Sequence, residues 1–127
     1  MIKKEIAKTP DGENIMNCFL CGTCTAGCPV SKIDPAFSPR TIMRMALYGM
    51  EKELLSSPEI WKCVQCHVCV AHCPQNARPA DVIKAVRQIS VARGFFPEKL
   101  LEDVEKLDEE TQKQRLEKVG ALLNKEV

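Results

Sequence analysis

"NCFLCGTCTAGCPV", residues 17 to 30, gathers four cysteines and a proline into one short run. "KCVQCHVCVAHCPQ", residues 62 to 75, repeats the arrangement. Cys18, Cys21, Cys24 and Cys28 return as Cys63, Cys66, Cys69 and Cys73, at a constant offset of 45 residues. Pro29 and Pro74 follow the fourth cysteine of each copy. These eight are all the cysteines of a 127-residue chain, so the clustering asks for a chemical reason.

Each copy reads C-x2-C-x2-C-x3-C-P. This is the spacing of bacterial-type 4Fe–4S binding, in which the fourth cysteine ligates the other cluster. Gaps of two residues let a looping backbone offer three thiolates to three corners of one cube. The fourth cysteine, after a longer gap, points away, and the proline behind it resists further helix and redirects the chain. Two 4Fe–4S clusters with crossed ligation are therefore expected. One takes Cys18, Cys21, Cys24 and Cys73; the other takes Cys63, Cys66, Cys69 and Cys28. The rival is a zinc interaction module with two all-thiolate sites. Zinc sites usually pair two C-x2-C hooks across a longer loop, whereas these hooks are triple and proline-terminated. His67 and His72 lie inside the second motif. Cysteine already fills every ligand position, so both read as loop residues; hydrogen bonding to sulfur is the sharper role open to them. Gly22 and Gly27 are expected to let the backbone approach the cubes. Trp61 reads as a packing or interface residue.

Composition sets the frame for this chemistry. Hydrophobic residues make up 45% of the chain and aromatic residues only 5%, so a thin, aliphatic core is expected. Small domains with limited cores often rely on metal or disulfides. Lysine plus arginine (18) balances aspartate plus glutamate (17), which argues against nucleic-acid or anionic-membrane binding. No apolar run approaches the roughly 20 residues of a spanning helix. The opening "MIKKEIAKTPDGEN" has no apolar stretch of the secretory kind. A cytoplasmic location follows as the expectation, where thiols stay reduced and bind metal.

Between and after the motifs the apolar spacing is helical, and no segment alternates like a strand. Ser38 is a candidate N-cap with Pro39 at the first helical position, leading to Ile42, Met43, Met45, Ala46 and Leu47 and a stop at Gly49. A second start lies at Ser57-Pro58-Glu59. Pro79 opens a stretch with Val82, Ile83, Val86, Ile89 and Ala92, closed by Gly94. From 98 onward nine acidic and six basic residues surround two apolar stripes. Leu100, Leu101, Val104 and Leu107 form one; Leu116, Val119, Leu122 and Leu123 form the other. The tail is expected to be a helical pair packed on its own domain, or an arm that docks on a partner protein. The expected organisation is an N-terminal extension (1–13), a helical cluster-binding domain (14–94) and a helical C-terminal extension (95–127).

Three stretches carry a resemblance: "CFLCGTCTAGCPVS", "FSPRTIMRMALYGMEKELLSSPEIWKC" and "CVAHCPQNARPADVIKAVR". With their flanks they span about residues 14 to 94, and the chain resembles the iron–sulfur C chain family of heterodisulfide reductase, whose members are alpha-helical ferredoxins. The resemblance implies a mainly α fold with two cluster-binding loops. It implies an electron-transfer component of an anaerobic, cytoplasmic heterodisulfide reductase complex. Electrons would arrive from the flavin and iron–sulfur protein of that complex. They would leave to its CCG-motif protein, which carries the site that reduces the coenzyme M–coenzyme B disulfide of methanogenesis. This chain has no Cys-Cys pair and no glycine-rich dinucleotide fingerprint, so it should transform no substrate unaided. Two other readings use the same cysteines. A diffusible two-cluster ferredoxin would have short strands and a shorter interval between motifs. The iron–sulfur component of a quinone-linked dehydrogenase would add a plant-type cluster domain or CCG motifs.

Overall fold

The computed structural model describes residues 2–123, and every regular element among them is helical. The chain runs through α1 (Ile2–Lys8), α2 (Thr23–Ala26), α3 (Pro29–Ile33), α4 (Pro39–Leu47) and α5 (Glu51–Leu55). It continues through α6 (Val68–His72), α7 (Pro79–Ala92) and α8 (Glu98–Leu123), with 3-10 turns at Ile15–Asn17 and Pro58–Trp61. Among the described residues, those up to Phe96 form one compact unit and those from Pro97 another.

Local chemistry sets the starts and stops. Ser38 is extended, and its hydroxyl accepts the Thr41 N–H at 3.2 Å, so α4 begins capped. Pro39 and Pro79 both sit at the first helical turn, where a missing N–H leaves no bond unmade. Ser57 caps the turn at Pro58 by accepting the Glu59 N–H. α4 stops before Gly49 and α7 before Gly94, as the sequence anticipates.

α7 is the spine of the first unit. Val82, Ile83, Ala85 and Val86 are fully buried, so this helix packs on several sides at once. Ile42, Met43 and Ala46 of α4, with Leu54 and Leu55 of α5, close over it. Full burial of each valine, isoleucine, leucine or methionine side chain among them contributes roughly 1.5–3 kcal/mol. The core is aliphatic: Phe37 is the one ring among the fully buried side chains described. The first residues, which the motif pattern leaves outside as an extension, supply Ile2 and Ile6 to this same core. Two polar side chains of α7 tie it to its neighbours. Ser90 donates to the Leu55 carbonyl at 2.6 Å. Arg87, only 4% exposed, donates to the carbonyls of Ile60 and Cys63, both at 2.7 Å. Its guanidinium lies 5.4 Å over the Trp61 ring, which meets Phe96 edge-on. Trp61 is thus a packing residue.

The expected helical pair in the tail is corrected: Glu98–Leu123 is one uninterrupted helix of 26 residues. The stretch between its two stripes, residues 108 to 115, is polar but contains neither glycine nor proline, so nothing in it breaks the backbone ladder. Leu107, Leu116, Leu122 and Leu123 are exposed along it.

Candidate iron–sulfur centres

Each motif builds its loop in the same way. Leu20 and Gln65, two residues after the first cysteine, both take the left-handed conformation (φ 61° and 57°). Their N–H groups thereby turn back on the sulfurs of Cys18 and Cys63, each at 3.4 Å. Gly22 and His67 are left-handed as well (φ 86° and 64°) and lead into the short helices α2 and α6. Those helices carry the third cysteine, Cys24 or Cys69. The fourth cysteine then lies in extended backbone, with ψ 121° at Cys28 and 117° at Cys73, and the next proline starts a new direction.

The result is two recesses, each partly open to solvent. Cys18, Cys21, Cys24 and Cys73 line the first. Cys63, Cys66, Cys69 and Cys28 line the second. Every recess therefore draws three cysteines from one motif and the last from the other. α2 packs on α6, which brings the two copies side by side. Cys21 and Cys66, the second cysteine of each motif, are the exposed thiols; Cys28 and Cys69 are buried.

Burial opposes a free thiolate at four of these cysteines. Burial pushes the thiols of Cys18, Cys24 and Cys63 up from their ordinary range. Burial raises Cys69 furthest, to about 12, against the backbone N–H of Ala80, which acts the other way. Cys21, at the surface, is lowered, chiefly by the Thr23 hydroxyl 3.3 Å away. Donors nevertheless wait on the sulfurs. Besides Leu20 and Gln65, the Ala77 N–H points at Cys73 Sγ at 3.3 Å, and the Gln65 side-chain amide reaches Cys63 Sγ at 3.5 Å. Such donors disperse charge on cluster sulfurs and tune potential.

The histidines divide. His72 is exposed and lines neither recess. His67 lines the second, but its ring nitrogens pair with the Gln65 carbonyl (2.9 Å) and Asp81 (3.1 Å), not with sulfur. Asp81 also accepts from Arg78 at 2.6 Å. Burial raises the Asp81 carboxyl, yet Arg78 and His67 outweigh it and hold the group below the usual carboxylate range. Gly22 borders the first recess, with Arg40 Cδ 3.3 Å from where a Cβ would stand. Gly27 differs from its expected role: a Cβ there would meet Val68 at 3.6 Å, so it faces α6 rather than a recess. Motif reading does not single out Arg40, Gln65, Thr23 or Asp81. The one available signal is positional, since Gln65 repeats Leu20 and Arg40 follows the helix-opening Pro39.

The thiols fit a cluster better than a single ion. A zinc ion would draw four sulfurs to about 2.3 Å from one point. Here the cysteines ring a volume, and among the described residues no three Cys, His, Asp or Glu side chains converge on a common centre. A cube with a thiolate at each of four corners suits that spacing. Residues 14–77 match the 4Fe–4S dicluster domain family. The chain belongs to that family. As a dicluster protein it carries two 4Fe–4S clusters, and the fold is the helical, ferredoxin-like one expected from the motifs.

Curated proteins similar to the chain include C chains of heterodisulfide reductases. One is the C chain of the H(2):CoB-CoM heterodisulfide,ferredoxin reductase of Methanothermobacter thermautotrophicus. It is 36% identical over 72% of this chain and 49% of its own length. The C chain of the ferredoxin:CoB-CoM heterodisulfide reductase of Methanosarcina acetivorans is 35% identical over 76% of this chain and 38% of its own. Its counterpart from Methanosarcina mazei is 32% identical over 84% of this chain and 70% of its own. The chain thus spans about half the length, or less, of the first two relatives. These likenesses fit an iron–sulfur electron-transfer component of a multi-chain oxidoreductase. No helix among the described residues is long and apolar enough to cross a membrane.

Proposed function

We propose that this chain is the electron-relay component of a heterodisulfide reductase-type complex. Its first cluster would be held by Cys18, Cys21, Cys24 and Cys73, and its second by Cys63, Cys66, Cys69 and Cys28. The observation that carries this assignment is the lining of the two recesses, each with three thiols of one motif and the fourth of the other. When bound, each cluster supplies a one-electron relay. The protein's own groups do the rest. Leu20, Gln65 and Ala77 N–H groups orient and partly neutralise the sulfurs. Cys21 and Cys66 are exposed, so a cluster held there would be reachable from the surface for electron entry or exit.

The partners are a flavin and iron–sulfur protein that donates electrons and a CCG-motif, disulfide-reducing protein that accepts them, in the cytoplasm. The names of the relatives support a place in a heterodisulfide reductase, since each is the C chain of one. The exposed leucines of α8 fit the docking-arm alternative for the tail. Anaerobic purification of the tagged chain from its native cell is expected to recover a flavoprotein and a CCG-containing protein in fixed ratio. A stable monomer that exchanges electrons with many unrelated enzymes would instead indicate a diffusible ferredoxin.

A further inference from the structure

The two halves of the site are not electrostatic copies. Each cluster motif is followed by a proline-initiated helix whose second residue lines a recess: Arg40 after Pro39, Ala80 after Pro79. Arg40 is held there. Its Nε donates to the Leu20 carbonyl at 2.7 Å, and its own N–H donates to the Thr25 hydroxyl at 3.0 Å. Its side chain passes within 3.3 Å of the Cβ that Gly22 lacks. A glycine at this left-handed position therefore does two things: it permits the turn and it admits the arginine. In the other motif His67 occupies the matching position, and its ring is taken up by Asp81. No carboxylate among the described residues lies within salt-bridge distance of Arg40. The second recess has a different cation nearby, buried Arg87, which bonds the Cys63 carbonyl on the core side.

Resting on the ligation proposed above, we propose that Arg40 is the positioning residue that raises the reduction potential of the first cluster. Adding an electron to an anionic cube increases its negative charge. A fixed guanidinium at the recess wall stabilises the reduced form more than the oxidised one, and so shifts the couple upward. Through the Leu20 carbonyl the same side chain braces the left-handed loop whose N–H faces Cys18 Sγ.

The test is a redox titration of the holoprotein, followed by electron paramagnetic resonance, for wild type, Arg40→Gln and Arg40→Lys. The first-cluster signal is assigned as the one lost in Cys21→Ala. Arg40→Gln should lower the reduced-to-oxidised ratio of that cluster at fixed potential by several-fold, on the order of tenfold, or about 59 mV for one electron. The second cluster should not move. Arg40→Lys keeps the charge and should retain most of the wild-type value. Equal shifts in the Gln and Lys variants, or no shift in Arg40→Gln with both clusters intact, would overturn the tuning role and leave the ligation standing. Wild-type protein without two clusters would overturn both.

Discussion

Cys73→Ala is expected to lose the cluster of the first motif and keep that of its own. Cys73 lies 45 residues beyond Cys28, yet it lines the recess of Cys18, Cys21 and Cys24. Its extended backbone and Pro74 turn it across α6 toward the other copy. Alanine leaves that recess with three thiols and leaves the second recess complete. Iron should fall from about eight to about four atoms per chain, because one of two cubes has lost a corner. The spectrum should coincide with that of Cys21→Ala. Reciprocally, Cys28→Ala should coincide with Cys66→Ala. A Cys73→Ala spectrum matching that of Cys66→Ala would mean that each motif closes its own cluster.

Stripping iron and sulfide with an anaerobic chelator is expected to unfold the unit that ends at Phe96. The helices that carry or follow the cysteines, α2, α3 and α6, have only four or five residues each. Pieces that short do not persist in water by themselves. The loops beside them hold five non-glycine residues in left-handed backbone, Leu20, Gln65, His67, Asn76 and Arg78, each of which costs free energy. Metal thiolate bonds in small domains contribute about 10 kcal/mol or more, comparable to the whole stability of a domain. A loss of even about 5 kcal/mol would lower the thermal midpoint by roughly 20 °C or abolish the transition. Trp61, the single tryptophan, reports on this unit alone through its contacts with Phe96 and Arg87. Its fluorescence should shift to the red as iron leaves. Acid should hasten the release, because protons compete with iron for thiols that burial has already raised, Cys69 above all. A chelated protein that keeps an unshifted emission and a sharp transition would show that the aliphatic core suffices.

Much of this is legible in the sequence because cysteine spacing is a short-range code. The paired cysteine motifs, and the helix starts at Ser38, Pro39 and Pro79, need only a few neighbouring residues to be read. Three features need the folded chain. Ile2 and Ile6 look like the start of a polar extension, and only packing reveals that they finish the core. The long α8 reads as two helices because a polar stretch between apolar stripes resembles a turn until its lack of glycine or proline is weighed. Arg40 is one arginine among many in the sequence; its place beside the first recess arises from a contact with Leu20, twenty residues earlier.

Iron and acid-labile sulfide, measured per chain on anaerobically isolated protein, test the dicluster centre most directly. About eight atoms of each are expected from two complete cubes. Protein that holds about two zinc ions and no sulfide, or that lacks metal altogether, would contradict it.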